Sequence, residues 1–369
     1  MKILILSASI GAGHTQAAEA IAEQFLIRNE QSEIKDDVEV LDFMNKKIST
    51  INWLLKKLYL SILGLIPDLY DRIYQLAGVR RFGSITRLIW STLMYLPFSR
   101  LLNKLSPDVI ICTHPFPEAA AALWKFLHPK NAKRFTLAAV LTDYSLHEIW
   151  IYSGVDLYFV ATEDMKRELE NHGRCKVFAT GIPIRSQFKN GQNNSAFRIN
   201  HSALIMGGGL GLGAFEDTIA ELEKIDFKIK IVVVTGKNER LQNKLKTLKS
   251  KHELVIYGFV DNIYQLMKNS DLLISKPGAL TISEAFAVGL PILLLPPIPG
   301  PEALNADYAV NHGAALSLSK SIDISQAIKI LNDAEKLKLM KISAKKIART
   351  NAASDIVNEL KNYLSINKI

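Results

Sequence analysis

Three stretches of this chain place glycine beside polar residues at spacings that suit anion chemistry. The run Ser275-Lys276-Pro277-Gly278-Ala279-Leu280-Thr281-Ile282-Ser283-Glu284-Ala285 reads as a strand end, a glycine turn and a helix whose first turn carries Thr281, Ser283 and Glu284. Amides at a helix N-terminus suit a diphosphate, and a hydroxyl adds a further bond. A carboxylate one turn in can accept both hydroxyls of a ribose; the plainer alternative is a capped helix with an acidic first turn. The next loop, Pro296-Pro297-Ile298-Pro299-Gly300-Pro301, is stiffened by proline and would hold Glu302 and Asn305 at the mouth of the same cleft. Upstream, Gly207-Gly208-Gly209-Leu210-Gly211-Leu212-Gly213 sets four glycines at alternate positions, so the backbone can approach a ligand closely and visit positive φ. Near the N-terminus stands Gly11-Ala12-Gly13-His14. Gln16 occupies the place of a third glycine and no Lys-Ser/Thr follows, which disfavours a dinucleotide fingerprint and a P-loop. What remains is a glycine turn opening a helix with its amides toward an anion. His14 is there either a packing residue or a proton-transfer group.

These loops need strands to end on and helices to begin. Apolar β-branched runs at 3–7, 38–43, 109–112, 136–141 and 157–160 read as strands covered on both faces, as in a parallel sheet. Ala17, Ala18, Ile21 and Phe25 share one helical face after the first of them. A second alternating series follows at 203–206, 229–235, 254–257, 272–274, 291–295 and 314–318, and from Ser325 the chain reads as helix almost to its end. Strand–helix alternation on this scale predicts an α/β protein of two doubly wound domains. The polar stretch 187–200 is the expected linker between an N-terminal domain (1–186) and a C-terminal domain (201–345), with a last helix over 346–369 packing back on the first domain.

A length of 369 residues suits two domains, and 48% hydrophobic residues exclude wholesale disorder. Two distant cysteines, Cys112 and Cys175, argue against a disulfide framework or a zinc site and fit a reducing cytoplasm. The opening apolar run is too short for an export signal, and no segment reaches the ~20 apolar residues of a spanning helix. The net charge of +9 is uneven: between residues 46 and 104 ten Lys or Arg face two Asp. This block, within an insert at 45–105, mixes Trp53, Tyr59, Trp90 and Tyr95 with the pairs Lys56-Lys57 and Arg80-Arg81. It is either a solvated basic helical subdomain or a surface for anionic membranes.

The run SKPGALTISEAFAVGLPILLLPPIPGPEALNADYAVNHGAA resembles the donor site of family 28 glycosyltransferases, and more narrowly that of monogalactosyldiacylglycerol synthases and processive diacylglycerol glucosyltransferases. SASIGAGHTQAAEAI, LTDYSLHEIWIYSGVDLYFVATEDMKRELENHG and TGIPIRSQF resemble further blocks of the same family, in the same order, over nearly the whole chain. The resemblance implies a GT-B architecture, two Rossmann-like domains facing across a cleft. It implies a UDP-sugar donor and a diacylglycerol acceptor; because nothing in the sequence resembles the paired-acid metal site of the other main transferase fold, no metal or other cofactor is expected. By position, Leu280, Thr281 and Glu284 would contact UDP, with Gly278 in their turn and Arg185 reaching in from the linker side. Glu302 and Asn305 would hold sugar hydroxyls, and the backbone at Phe259-Val260 would meet uracil. His14, or Asp143, would serve as the base. Where the family often has Gln, this chain has Pro301, which leaves the identity of the sugar open.

The expected reaction is attack of an acceptor hydroxyl on the anomeric carbon, inverting it, as charge builds on the departing β-phosphate. The enzyme would be cytoplasmic, peripheral on the inner face of the membrane through Trp53, Lys56, Lys57, Arg80 and Arg81. Two alternatives share the fold: an N-acetylglucosamine transferase acting on a lipid-linked wall precursor, and a UDP-sugar epimerase. A nucleic-acid-binding protein is disfavoured, because the basic charge is confined to one insert without a base-reading motif.

Overall fold

A computed structural model describes residues 1–65, 80–173, 175–189, 201–208, 215–297, 300–318 and 329–366, with 59–60, 62–65, 80–84 and 331 described by their backbone alone. Two compact units emerge: Met1–Ser186 together with Asn351–Ile369, and Gln187–Thr350. Each is built on one six-stranded parallel sheet.

In the first unit β1 (Lys2–Ser7) leads into α1 (Gly13–Glu30), followed by β2 (Asp37–Asp42). Helices α2 (Thr50–Leu65) and α3 (Arg80–Leu105) form the described part of the insert. The unit continues with β3 (Val109–Cys112), α4 (Pro115–Leu127), β4 (Thr136–Val140), β5 (Leu157–Val160), α5 (Glu163–Glu170) and β6 (Lys176–Ala179). Every residue of β3 and β5 is buried, as expected for strands with helices on both faces. Strand β6 escapes the sequence reading because it is a four-residue edge strand opening on exposed Lys176. Its apolar run, Val177-Phe178-Ala179, is only three residues long and only Val177 of it is fully buried.

The second unit runs β7 (Ser202–Met206), α6 (Phe215–Leu222), β8 (Lys230–Val234), α7 (Glu239–Lys246), β9 (Glu253–Tyr257) and α8 (Ile263–Lys268). Then come β10 (Leu272–Ser275), α9 (Ala279–Val288), β11 (Ile292–Leu294), α10 (Glu302–Asn311), β12 (Ala315–Ser317) and α11 (Ala334–Ile347). The expected unbroken terminal helix is interrupted. Ala348 turns extended (ψ 135°), and the chain re-enters the first unit at Asn351, not at 346, as α12 (Ala352–Ile366). There Ile356, Val357 and Leu360 join the core formed by Ile3, Ile5, Ala18, Ile21 and Phe25.

Strand order decides where ligands can bind. The sheets run β2-β1-β3-β4-β5-β6 and β12-β11-β10-β7-β8-β9. In each, the chain reverses its direction of travel across the sheet once: between β1 and β3, and between β7 and β10. At such a reversal the loops leaving the strands' carboxyl ends diverge to opposite faces and open a crevice.

Candidate functional site

The loop after β1 and the segments after β3 and β4 meet at the first reversal. Gly11 adopts φ +100°, open to glycine and strained for other residues, and its free side is open space. His14, one residue into α1, is held from two directions. Its Nδ1 lies 2.9 Å from the Thr113 carbonyl oxygen and 2.7 Å from Thr142 Oγ1, while Thr113 Oγ1 donates to the His14 carbonyl at 2.9 Å. Burial pulls the His14 imidazole below its ordinary range, against a lift from the Asp143 carboxylate and the Thr113 carbonyl. The structure thus brings both candidate bases together, Asp143 being the residue after Thr142. A second imidazole stands beside them: the His114 ring centroid is 4.6 Å from that of His14.

At the second reversal, β7 and β10 are hydrogen-bonded neighbours with Met206 opposite Ser275. Gly207 is buried and Gly208 takes φ +70°; an added Cβ there would lie 3.5 Å from Lys276 Cε. Gly209 lies outside the described residues. Lys276 Nζ bonds Glu302 Oε1 at 2.5 Å, so the loops after β10 and β11 are joined through one ammonium, with the Lys276 stem beside Gly208 of the loop after β7. Gly278 opens α9 with no side-chain cap, and Thr281 Oγ1 is 3.9 Å from where a Gly278 Cβ would stand, at the helix's open end. Leu280 and Glu284 are buried, as is Asn305 one turn into α10.

Two details of the sequence reading change. Ser283 does not face the turn, because its hydroxyl donates to the Ala279 carbonyl one turn back. Glu284 sits in the second turn of α9, not the first, since the helix begins only at Ala279. Phe259 and Val260 follow β9, two strands from β7 and so roughly 10 Å across the same sheet end. Phe259 is 56% exposed with Lys237 Nζ 5.8 Å from its ring. Arg185 belongs to the first unit, beyond β6.

Capping chemistry separates these helix ends from others. Helices α5, α7, α8 and α11 are capped by Thr162, Asn238, Asn262 and Asp333. Helices α1, α9 and α10, which open at the two reversals or beside them, carry no side-chain cap. An uncapped N-terminus keeps its amides and its positive dipole end for an anion. Sequence spacing gave no hint of Thr113, Thr142 or His114, and Lys276 carried a signal only as a base beside the glycine turn.

The proposed membrane residues are dispersed. Trp53 is half-buried under Lys57 Nζ (4.3 Å from its ring) and Lys46 Nζ (5.3 Å). Lys56 is turned inward, donating to Ser9 Oγ in the first glycine loop, where Ser9 is itself held by Asp42. Arg80 and Arg81 begin α3, and their side chains lie outside the described residues. What α3 does present is apolar: Ile85, Leu88, Ile89, Leu93 and Leu96 are 43–61% exposed along one stripe, while Met94, Phe98 and Leu102 are buried. Helix α2 exposes Ile51, Leu54 and Leu58 at similar levels. Among the described residues no helix is long and apolar enough to cross a membrane, and no group of three or more His, Cys, Asp and Glu is placed to hold a metal ion.

Comparison with known proteins gives the same division of the chain. Residues 14–184 match the monogalactosyldiacylglycerol (MGDG) synthase family, and residues 202–360 match the glycosyltransferase family 28 C-terminal domain. A processive diacylglycerol beta-glucosyltransferase of Bacillus cytotoxicus is 32% identical over 100% of this chain and 96% of its own length. One of Bacillus pumilus is 30% identical over 97% and 94%. Among solved structures, MurG of Acinetobacter baumannii is similar in fold with a TM-score of 0.63 at 16% identity, covering 98% of this chain and 99% of that one. Two doubly wound sheets with open helix ends at their reversals, matched end to end by these relatives, mark the chain as a glycosyltransferase that belongs to family 28, in the group of the MGDG synthases and processive diacylglycerol glucosyltransferases.

Proposed function

We propose that this enzyme transfers a hexose from a UDP-sugar to diacylglycerol at a membrane surface, with inversion and without a bound metal. The observation that carries the reading is the uncapped α9 N-terminus at the β7/β10 reversal, flanked by Gly208, Lys276 and Glu302. The diphosphate is received by the helix amides and Thr281, which stabilise the charge that grows on the β-phosphate as UDP leaves. Glu284 takes the ribose hydroxyls, Glu302 and Asn305 the sugar hydroxyls, and the backbone at Phe259 and Val260 the uracil. The second unit therefore binds donor, and the first supplies the base. His14 carries its proton on Nδ1 toward a carbonyl that can only accept, so Nε2 holds the lone pair that removes the acceptor proton.

Two features favour a lipid acceptor. The full-length relatives act, by name, on diacylglycerol. Helix α3 turns an apolar stripe outward, the reverse of a helix meant for water, beside a block of basic residues. We place the enzyme on the cytoplasmic face of the membrane, docked by this stripe with Trp53 and Lys57. The test is a screen of UDP-glucose, UDP-galactose and UDP-N-acetylglucosamine with diacylglycerol vesicles, with and without EDTA, and mass analysis of the lipid product. A hexosyl-diacylglycerol formed equally in EDTA is expected. Failure with every donor, or strict dependence on added metal, would refute the reading in its respective part.

A further inference from the structure

We propose that Lys56 of α2 and Arg87 of α3 are positioning residues. Each ties one helix of the insert to a loop that carries a candidate base, so that contact between the insert and a lipid surface sets both loops for reaction. This rests on the reading of α2 and α3 as the membrane face, and it adds two residues and a coupling that the donor site does not supply. Both helices turn aliphatic side chains outward and a cation inward. On α2, Ile51, Leu54 and Leu58 are exposed. Lys56 is two residues from both Leu54 and Leu58, which puts it on the opposite side of the helix, about 160° away. On α3, Ile85, Leu88, Ile89, Leu93 and Leu96 are exposed, while Arg87 shares the inward side with the buried Ser91, Met94 and Phe98 at i+4, i+7 and i+11. Drawing a cation out of water is unfavourable unless a partner compensates. The partners of these two therefore say what the inward sides are for.

Lys56 donates to Ser9 Oγ, which donates in turn to Asp42 Oδ2 at 2.5 Å. Asp42 Oδ1 accepts the Ser9 and Met44 amides at 3.1 and 3.0 Å. Ser9 lies in the loop after β1, just ahead of Gly11 and His14. Arg87 Nη1 donates to the Glu148 carboxylate at 2.6 Å and to the Glu148 carbonyl at 2.8 Å. Glu148 closes the segment that leaves β4 through Thr142 and Asp143. Beyond it, the Tyr158 hydroxyl holds the Trp150 carbonyl and the Tyr152 amide at 2.9 Å each. The two loops reached in this way meet each other, since Thr142 Oγ1 is 2.7 Å from His14 Nδ1. Neither helix needs its cation merely to stay attached. Asn52 of α2 donates to the Phe43 carbonyl at 2.9 Å, and Trp90 of α3 stacks 4.3 Å from Phe116. Lipid that takes up the aliphatic sides restrains α2 and α3, and the two cations pass that restraint to the loops that must hold acceptor and base in register.

The test is hydrogen–deuterium exchange of the full-length enzyme, alone and on vesicles of phosphatidylcholine, phosphatidylglycerol and diacylglycerol, in wild type, Lys56→Met and Arg87→Met. Wild type should float with the vesicles and, once bound, exchange about threefold or more slower at 8–14 and 142–149. Lys56→Met should float equally and lose the slowing at 8–14, and Arg87→Met that at 142–149. On the same vesicles kcat should fall by about tenfold or more in each, with KM for the sugar donor and UDP affinity unchanged. Ser9→Ala cuts the first link from the loop side without touching α2 and should reproduce Lys56→Met, whereas Lys56→Arg should restore the wild-type pattern. Wild type that floats without slowing at either loop overturns the coupling. So do variants that keep the slowing, or that exchange faster across the whole unit with and without vesicles; the cations are then anchors only. Wild type that fails to float overturns the membrane reading and the coupling with it, so flotation tells the two failures apart.

Discussion

At the scale of single residues, the first reversal is a set of contacts that no spacing rule reveals. His14 stands out in the sequence because a histidine closes a glycine turn, yet its partners Thr113 and Thr142 come from 99 and 128 residues away. Lys276 could be seen beside its glycine turn, but its ion pair with Glu302 depends on strand order. If His14 is the base, His14→Ala lowers kcat by ~10²-fold or more in a folded protein, measured at saturating donor and acceptor. Glu284→Ala should weaken UDP binding by ~1–3 kcal/mol, checked by calorimetry, since a charged acceptor is lost from a buried position. Glu118 makes a different prediction. Its carboxyl is fully buried, and burial, against a smaller pull from the Tyr158 hydroxyl, pushes it well above the ordinary range. The unfolded chain ionises this group above about pH 4.5, while the folded chain resists. Its cost to stability therefore grows as pH rises. Glu118→Met should raise the melting temperature at pH 8 and do so progressively less as pH falls toward 4.5.

Elements were more legible than contacts, for a physical reason. Strands buried on both faces must be apolar throughout, so runs such as Val109–Cys112 and Leu157–Val160 announced themselves. Edge strand β6 did not, because its apolar run is only three residues behind exposed Lys176, and the break after Ile347 did not, because a helix end without a glycine or proline leaves no mark in the pattern. The insert was misweighted in a similar way. Counting charges singled out Lys56 and Lys57, but Lys56 serves the first glycine loop and the outward surface is aliphatic. Membrane binding should therefore survive salt better than a purely basic surface would. Leu88→Ser with Leu93→Ser should reduce vesicle flotation and activity on vesicles several-fold while UDP affinity stays constant. Unchanged flotation would return α3 to a solvated face.

For the molecule as a whole, two consequences follow from what is buried and how the chain is threaded. His14 and His114 both have folded pKa values below the unfolded value of about 6.5. Below that value the unfolded state takes up protons that the folded state refuses, so these groups contribute stability above about pH 6.5 and withdraw it as pH falls. Urea midpoints measured from pH 7.5 to 5.5 should decline, and the decline should be shallower in His114→Asn. The threading has a consequence for biosynthesis. The first unit cannot finish its core until Ile356, Val357 and Leu360 arrive, and the whole of Gln187–Thr350 is made before them. At ~5–20 residues per second the ribosome keeps the N-terminal sheet waiting on the order of 10–30 s for its last helix. The unit made second, being continuous in sequence, has all its residues outside the ribosome first. A nascent chain stalled before Asn351 has emerged should accordingly resist protease over Gln187–Thr350 and be cut within Met1–Ser186, so this enzyme matures against the direction of its own translation.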